Sequence, residues 1–247
     1  MKQDDQKVDI LAVGAHPDDV ELTCGGTLAR MVKAGHTAAI LDLTRGEMGT
    51  RGTVETRAGE AKEAGEILGV TRRMTLDIPD GSVTVNPENI SRVVSAFRTY
   101  RPSILLIPHS EDRHPDHCNA HRLCREAWFS SGLKNFKSAD GLELPPPHRP
   151  DVFFEFMQWF EFIPSFIVDV TETYDLKKRA ILAFRSQFYD PNSKEPQTKL
   201  SQPQFLELLE IRARAYGEKI GARYGEPFFS VSPVGVDSLF HVKTVKG

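Results

Sequence analysis

The 247-residue chain has no apolar run long enough to span a bilayer. Its first ten residues, MKQDDQKVDI, hold no hydrophobic stretch of the kind a secretory leader needs. Cysteine is scarce: Cys24, Cys118 and Cys124 are odd in number and lack CxxC spacing, which excludes a disulfide framework and reads as reduced thiols. The expected setting is therefore the cytoplasm, with no membrane partner. There is no basic excess either. Lys plus Arg number 31 against 34 Asp plus Glu, a net charge of −3, so the field that nucleic-acid binding requires is missing. Repeats and low-complexity tails are also absent. What is present is ordinary for a globular chain with a full core: 40% hydrophobic and 26% charged residues.

The first half alternates strand and helix signals. Val8–Val13, Thr37–Leu43, Arg73–Ile78 and Ser103–Ile107 read as strands. Between and after them, Thr27–Ala34, Val54–Leu68, Pro87–Tyr100 and about Asp116–Ser131 read as helices, with Gly35 and Gly69 as C-terminal stops and Pro87 in a first turn. This order predicts an α/β fold, a doubly wound and mainly parallel sheet with helices on both faces, in which the first and fourth strands are neighbours. After Gly132 the proline-rich GLELPPPHRP leads to two more expected strands, DVFFEFMQWFEF and SFIVDV. Helices are expected at Leu176–Phe184 and Phe205–Arg223, around a polar loop, Ser186–Gln204. We expect one domain, residues 1–247, whose C-terminal third (about 133–247) completes the sheet and covers one end of it. The aromatic-rich Phe153–Phe162 stretch suits either a core strand or a subunit interface.

The turn after the first strand reads GAHPDD. A dinucleotide site would need G-x-G-x-x-G there. His16 and Asp19 replace the second and third glycines, and Asp18, Asp19 and Glu21 would repel a pyrophosphate. A divalent cation would instead relieve the crowding of negative charge. A second cluster, PHSEDRHPDHCNAH (Pro108–His121), follows the fourth strand. If those strands are neighbours, both clusters meet at the carboxyl edge of the sheet, where such folds bind ligands. Either motif alone has a plain explanation: Asp116 as a helix cap, or His117 and His121 as an ordinary helix face or an alternative metal pair. A third stretch, LTRGEMGTRGTVETR, brings Arg45, Arg51 and Arg57 to the same edge, as anion-binding forks or as a solvated loop with Arg57 paired to Glu60.

Together, AHPDDVE, HPDH and TRGEMGTRGTVETR resemble the PIG-L/LmbE-type zinc-dependent de-N-acetylases, and most closely the bacillithiol-biosynthesis deacetylases, which act on N-acetylglucosaminyl malate. PSFIVDV and AFRSQF extend the likeness into the C-terminal part. The resemblance implies a Rossmann-like fold, a small-molecule N-acetylglucosaminide substrate, one Zn2+ per chain and a homo-oligomer. Carried over by motif position, it makes His16, Asp19 and His117 the metal ligands, Asp18 the general base, and His114, oriented by Asp116, the electrostatic and acid partner. Arg57 and Arg149 become substrate-binding residues. Phe205 stands where some relatives carry an oxyanion-stabilising tyrosine. The chemistry is coherent: three ligands leave a position for water, and a carboxylate beside them can take its proton. The competing expectations are phosphoester hydrolysis, or a non-enzymatic metal- or sugar-binding protein. The latter would have no need of a spare carboxylate at Asp18.

Overall fold

A computed structural model describes residues 6–245, so the two ends of the expected 1–247 unit lie outside it. Seven strands form one sheet in the order β3-β2-β1-β4-β5-β7-β6. They are β1 (Ile10–Gly14), β2 (Ala38–Asp42), β3 (Arg72–Thr75), β4 (Ile104–Pro108), β5 (Val152–Phe156), β6 (Phe166–Asp169) and β7 (Gly225–Phe229). The first five run parallel, and β7 is antiparallel to both β5 and β6. The helices are α1 (Asp19–Lys33), α2 (Val54–Leu68), α3 (Pro87–Tyr100), α4 (Pro115–Ser131), α5 (Tyr174–Ala183) and α6 (Gln204–Glu218). Among the described residues no helix is long and apolar enough to cross a membrane.

The expected adjacency of β1 and β4 holds, with Leu11 opposite Leu105. Side chains alternate along β1. Leu11 and Val13 pack beneath α3 and α4, against Phe97, Leu123 and Ala127. Ile10 and Ala12 face the opposite side, against Val20, Cys24 and Leu28 of α1. Strands buried on both faces are apolar at nearly every position, as ILAVG and ILLIP are. Each fully buried Leu or Phe here contributes about 1.5–3 kcal/mol. Helix starts follow local chemistry: Thr53 and Asn86 accept the N–H groups of Thr56 and Asn89, and Pro87 opens α3.

Three departures from the sequence expectation bear on the site. First, α1 begins at Asp19, not Thr27, and is interrupted at Cys24 (φ −118°, ψ 15°). Glu226 of β7 re-caps it from 200 residues away, accepting the N–H of Gly26 at 3.0 Å and of Thr27 at 2.7 Å. Its charge is met by Lys177 Nζ at 2.6 Å, which also donates to the Thr23 carbonyl at 2.9 Å. Second, the aromatic stretch leaves the sheet after Phe156, because the Trp159 N–H is drawn to Asp112 Oδ2 at 2.7 Å. Third, GEPFF forms a strand despite its glycine and proline, by pairing with β6 through Gly225 and Glu226.

Candidate active site

The loops after β1, β2, β3 and β4 all open at the carboxyl edge of the sheet, and their side chains line a cavity of about 680 Å³. At its floor the β1–α1 turn presents His16, Asp18 and Asp19, while the first turn of α4 presents His117, with His114 just before it. Donor atoms of His16, Asp19 and His117 lie within 4.8 Å of one another. His117 Nε2 is 3.3 Å from Asp19 Oδ1, and His16 Nδ1 is 3.5 Å from Asp19 Oδ2.

The remaining ring nitrogens are held by carboxylates. His117 Nδ1 meets Asp112 Oδ1 at 2.8 Å. His16 Nε2 meets Asp80 Oδ1 at 3.0 Å and Asp116 Oδ2 at 3.4 Å. This is how metal-binding imidazoles are oriented and made more basic. Two imidazoles and one carboxylate, each with its outer partner in place, fit a zinc ion that keeps an open position. A second trio, His16, His114 and Asp116, is also close enough to hold a cation. In it, His114 Nδ1 accepts the Asp116 N–H at 3.2 Å, and the Asp116 carboxylate accepts those of Gly81 at 2.7 Å and Val83 at 3.2 Å.

Asp18 is buried, and its backbone is left-handed (φ 116°, ψ −23°), a strained state for a residue with a side chain. It stands at the N-cap of α1 yet makes no capping hydrogen bond, so its carboxylate is left for the cleft. Burial raises its pKa to about 7, against the pull of Arg57, whose Nη2 is 3.6 Å away. Burial works the other way on the imidazoles and is overcome by their carboxylates. His16 is raised well above its usual value, chiefly through Asp116, Asp19 and Asp80, and His117 to about 9 through Asp19 and Asp112. His114 is lowered, by burial and by the neighbouring His16 and His117.

The structure thus brings six expected residues together: His16, Asp18, Asp19, His114, Asp116 and His117. Asp116 corrects one expectation. It orients His114 through its backbone N–H, while its carboxylate pins the 81–83 loop and faces His16. Arg57 lines the cavity, but its fork is committed: Nη1 donates to the Gly46 carbonyl at 2.9 Å and Nη2 to that of Pro17 at 2.7 Å. Gly46 (φ +67°) packs so closely on it that a Cβ there would collide with Nη1. Arg149 is not at the site. It sits at the far end of α4, a helix of about 25 Å, where its guanidinium lies over Phe129 at 4.7 Å and donates to the Phe129 carbonyl at 2.7 Å. Arg45 pairs with Asp77, and Arg51 is tied to the Ser186 carbonyl and Ser193. Phe205 lines the cavity, stacks on Phe188 and offers no hydrogen bond.

Asp80 and Asp112 were missed in the sequence. Asp80 follows β3 as Asp18 follows β1, so the rule that loops after parallel strands share one edge would have found it. Asp112 lies inside the quoted cluster, but only the fold shows that it faces His117.

A model of the GlcNAc-PI de-N-acetylase family, PIG-L, matches residues 11–128. The diacetylchitobiose deacetylase of Thermococcus kodakarensis is 32% identical over 228 residues, 88% of this chain and 80% of that protein. The chain belongs to the PIG-L de-N-acetylase family. Among solved structures, a conserved protein of Thermus thermophilus is 39% identical, with a TM-score of 0.84 over 94% of this chain and 98% of its own. The N,N'-diacetylchitobiose deacetylase of Pyrococcus horikoshii, solved with an inhibitor, is 28% identical, with a TM-score of 0.77 over 91% of this chain and 83% of its own. The span matched by the family model ends inside α4. The cavity wall supplied by Gln158, Trp159 and α6 lies outside the match.

Proposed function

We propose that the chain is a metal-dependent hydrolase that removes the N-acetyl group from an N-acetylglucosaminide. The observation that carries this reading is the spare, buried carboxylate of Asp18 beside a three-donor cluster that needs no fourth protein ligand. His16, Asp19 and His117 would hold zinc, one per chain. When bound, the metal supplies polarisation of the acetyl carbonyl and a lowered pKa for the attacking water.

Asp18 accepts the proton as the water oxygen bonds to the acetyl carbon. With Nδ1 occupied by a backbone N–H, neutral His114 carries its proton on Nε2 and donates it as a hydrogen bond to the developing oxyanion. Because Phe205 cannot share that task, His114 acts there without a phenol. The C–N bond then breaks, the amine takes the proton from Asp18, and acetate leaves. Arg57 holds the Asp18 turn and the Gly46 loop in register, a positioning role.

The narrower substrate, N-acetylglucosaminyl malate of bacillithiol biosynthesis, has one support in the cavity. It rests on Arg113 alone, a cavity-lining guanidinium stacked on Trp159, and the apolar wall of the same cavity favours a different aglycone. A cytoplasmic setting is proposed on the three free thiols. A homo-oligomer is proposed on the family resemblance alone. Acetate release from N-acetylglucosaminides, with phosphate release from phosphoesters measured on the same zinc-loaded preparation, tests the reading. Acetate release is expected, and phosphate release alone would replace it.

A further inference from the structure

Beyond the His/Asp cluster, much of the cavity wall is apolar, and α6 contributes the largest apolar share of it. That helix has two apolar faces. Ala213 and Tyr216 are buried against the protein, and Phe205 is buried at the cavity wall. Leu208, Ile211 and Ala215, spaced for a neighbouring stripe, point into the cavity instead. Leu208 and Ile211 remain 52% and 55% exposed. Leu22, Leu200 and Leu209 continue the surface toward the Asp18 turn, and Trp159 flanks it. Single exposed apolar residues need no explanation, but a contiguous set opening onto a reaction centre does.

The cavity volume suits a ligand of drug size, with room beyond a sugar ring held at the metal cluster. The outer charges do little to favour a polar occupant. Arg212 is committed to the carbonyls of Gln158 and Trp159. Arg113 stacks on Trp159 at 4.4 Å, and Glu161 lines the same rim with opposite sign.

Resting on the deacetylase reading, we infer that this cavity selects N-acetylglucosaminides with an apolar aglycone, an alkyl or aryl group seated on the Leu208–Ile211 face of α6. Continuity with the reaction centre names the occupant: whatever is linked to the sugar must leave the metal cluster along this wall. Each methylene seated there is worth up to roughly fourfold in affinity.

The test uses the deacetylated sugars, so that binding is read without turnover. Calorimetry on the zinc-loaded protein compares hexyl glucosaminide, glucosaminyl malate, chitobiose and glucosamine. The hexyl compound should bind about tenfold or more tighter than the other three. Leu208→Ser and Ile211→Ser, both at exposed positions, should each cut that advantage at least threefold. Tighter binding of the malate or chitobiose compound overturns the inference, as does a hexyl advantage that survives both substitutions. Acetate release from the N-acetyl forms is measured separately. Its failure alongside a hexyl preference would remove the deacetylase reading and leave the apolar subsite standing.

Discussion

Asp18 combines three features that are each unusual for an aspartate: burial, a positive φ, and an N-cap position without a capping bond. Asn tolerates the same backbone, so Asp18→Asn isolates the carboxylate. We expect it to keep metal and fold while turnover falls at least about a hundredfold. Near-normal turnover would move the base to Glu47 or Glu111. His117→Ala should lose most of the bound metal by elemental analysis, and full occupancy would send the assignment to His121. Asp112→Asn should weaken metal affinity by about 10–100-fold, through the orientation of His117; a competition titration with a chelator reads this directly. The imidazoles set the pH dependence. In the metal-free protein His117 is protonated below about 9, and His16 is raised as well. A metal needs both rings neutral, so binding at pH 7 must release protons, and affinity falls as pH drops. Calorimetry in buffers of different ionisation enthalpy should show uptake of at least one proton by the buffer. A buffer-independent heat would contradict the ligand set.

At the scale of elements, α1 shows what a sequence conceals. Its first two turns carry the pair Gly25–Gly26, which lowers helix propensity, and the pattern read from sequence starts only at Thr27. The break is stabilised by Glu226 and Lys177, both buried, and nothing in a local window announces that pair. Glu226→Ala would leave Lys177 buried without its partner and two helix N–H groups uncapped. We expect a loss of about 3–5 kcal/mol in denaturant unfolding, and an unchanged midpoint would show that the cap is idle. By contrast, α2 and α3 were legible to the residue, because Thr53, Asn86 and Pro87 mark their starts and Gly69 ends α2. The arginines illustrate the opposite failure. Sequence left Arg45, Arg51 and Arg57 open between anion-binding forks and a solvated loop, and the resemblance made Arg57 and Arg149 substrate-binding residues. Carbonyls, a serine hydroxyl and carboxylates within the chain take up their guanidinium forks, and the exposed Arg113 was overlooked.

For the molecule as a whole, the strand order of the first half and the convergence of the two His/Asp clusters were legible, since both follow from right-handed crossovers between parallel strands. The mixed edge was not, because GEPFF gains its strand character from its pairing with β5 and β6 on either side. The aromatic stretch is strand only as far as Phe156. Phe153 and Phe156 are core, Trp159 walls the cavity, and Phe160 is half exposed. Light scattering should show species at multiples of the 27.7 kDa chain; a monomer at micromolar concentration would remove the oligomer proposal.

The cap that Glu226 places on α1 also has a consequence in time. The residues that open α1 are made well before the carboxylate that completes the helix, which follows 200 residues later. At about 5–20 residues per second that interval is roughly 10–40 s. Throughout it the nascent chain carries the metal-site residues of the first turn on a helix whose break is uncapped. Until Glu226 arrives, the N–H groups of Gly26 and Thr27 have no carboxylate to meet.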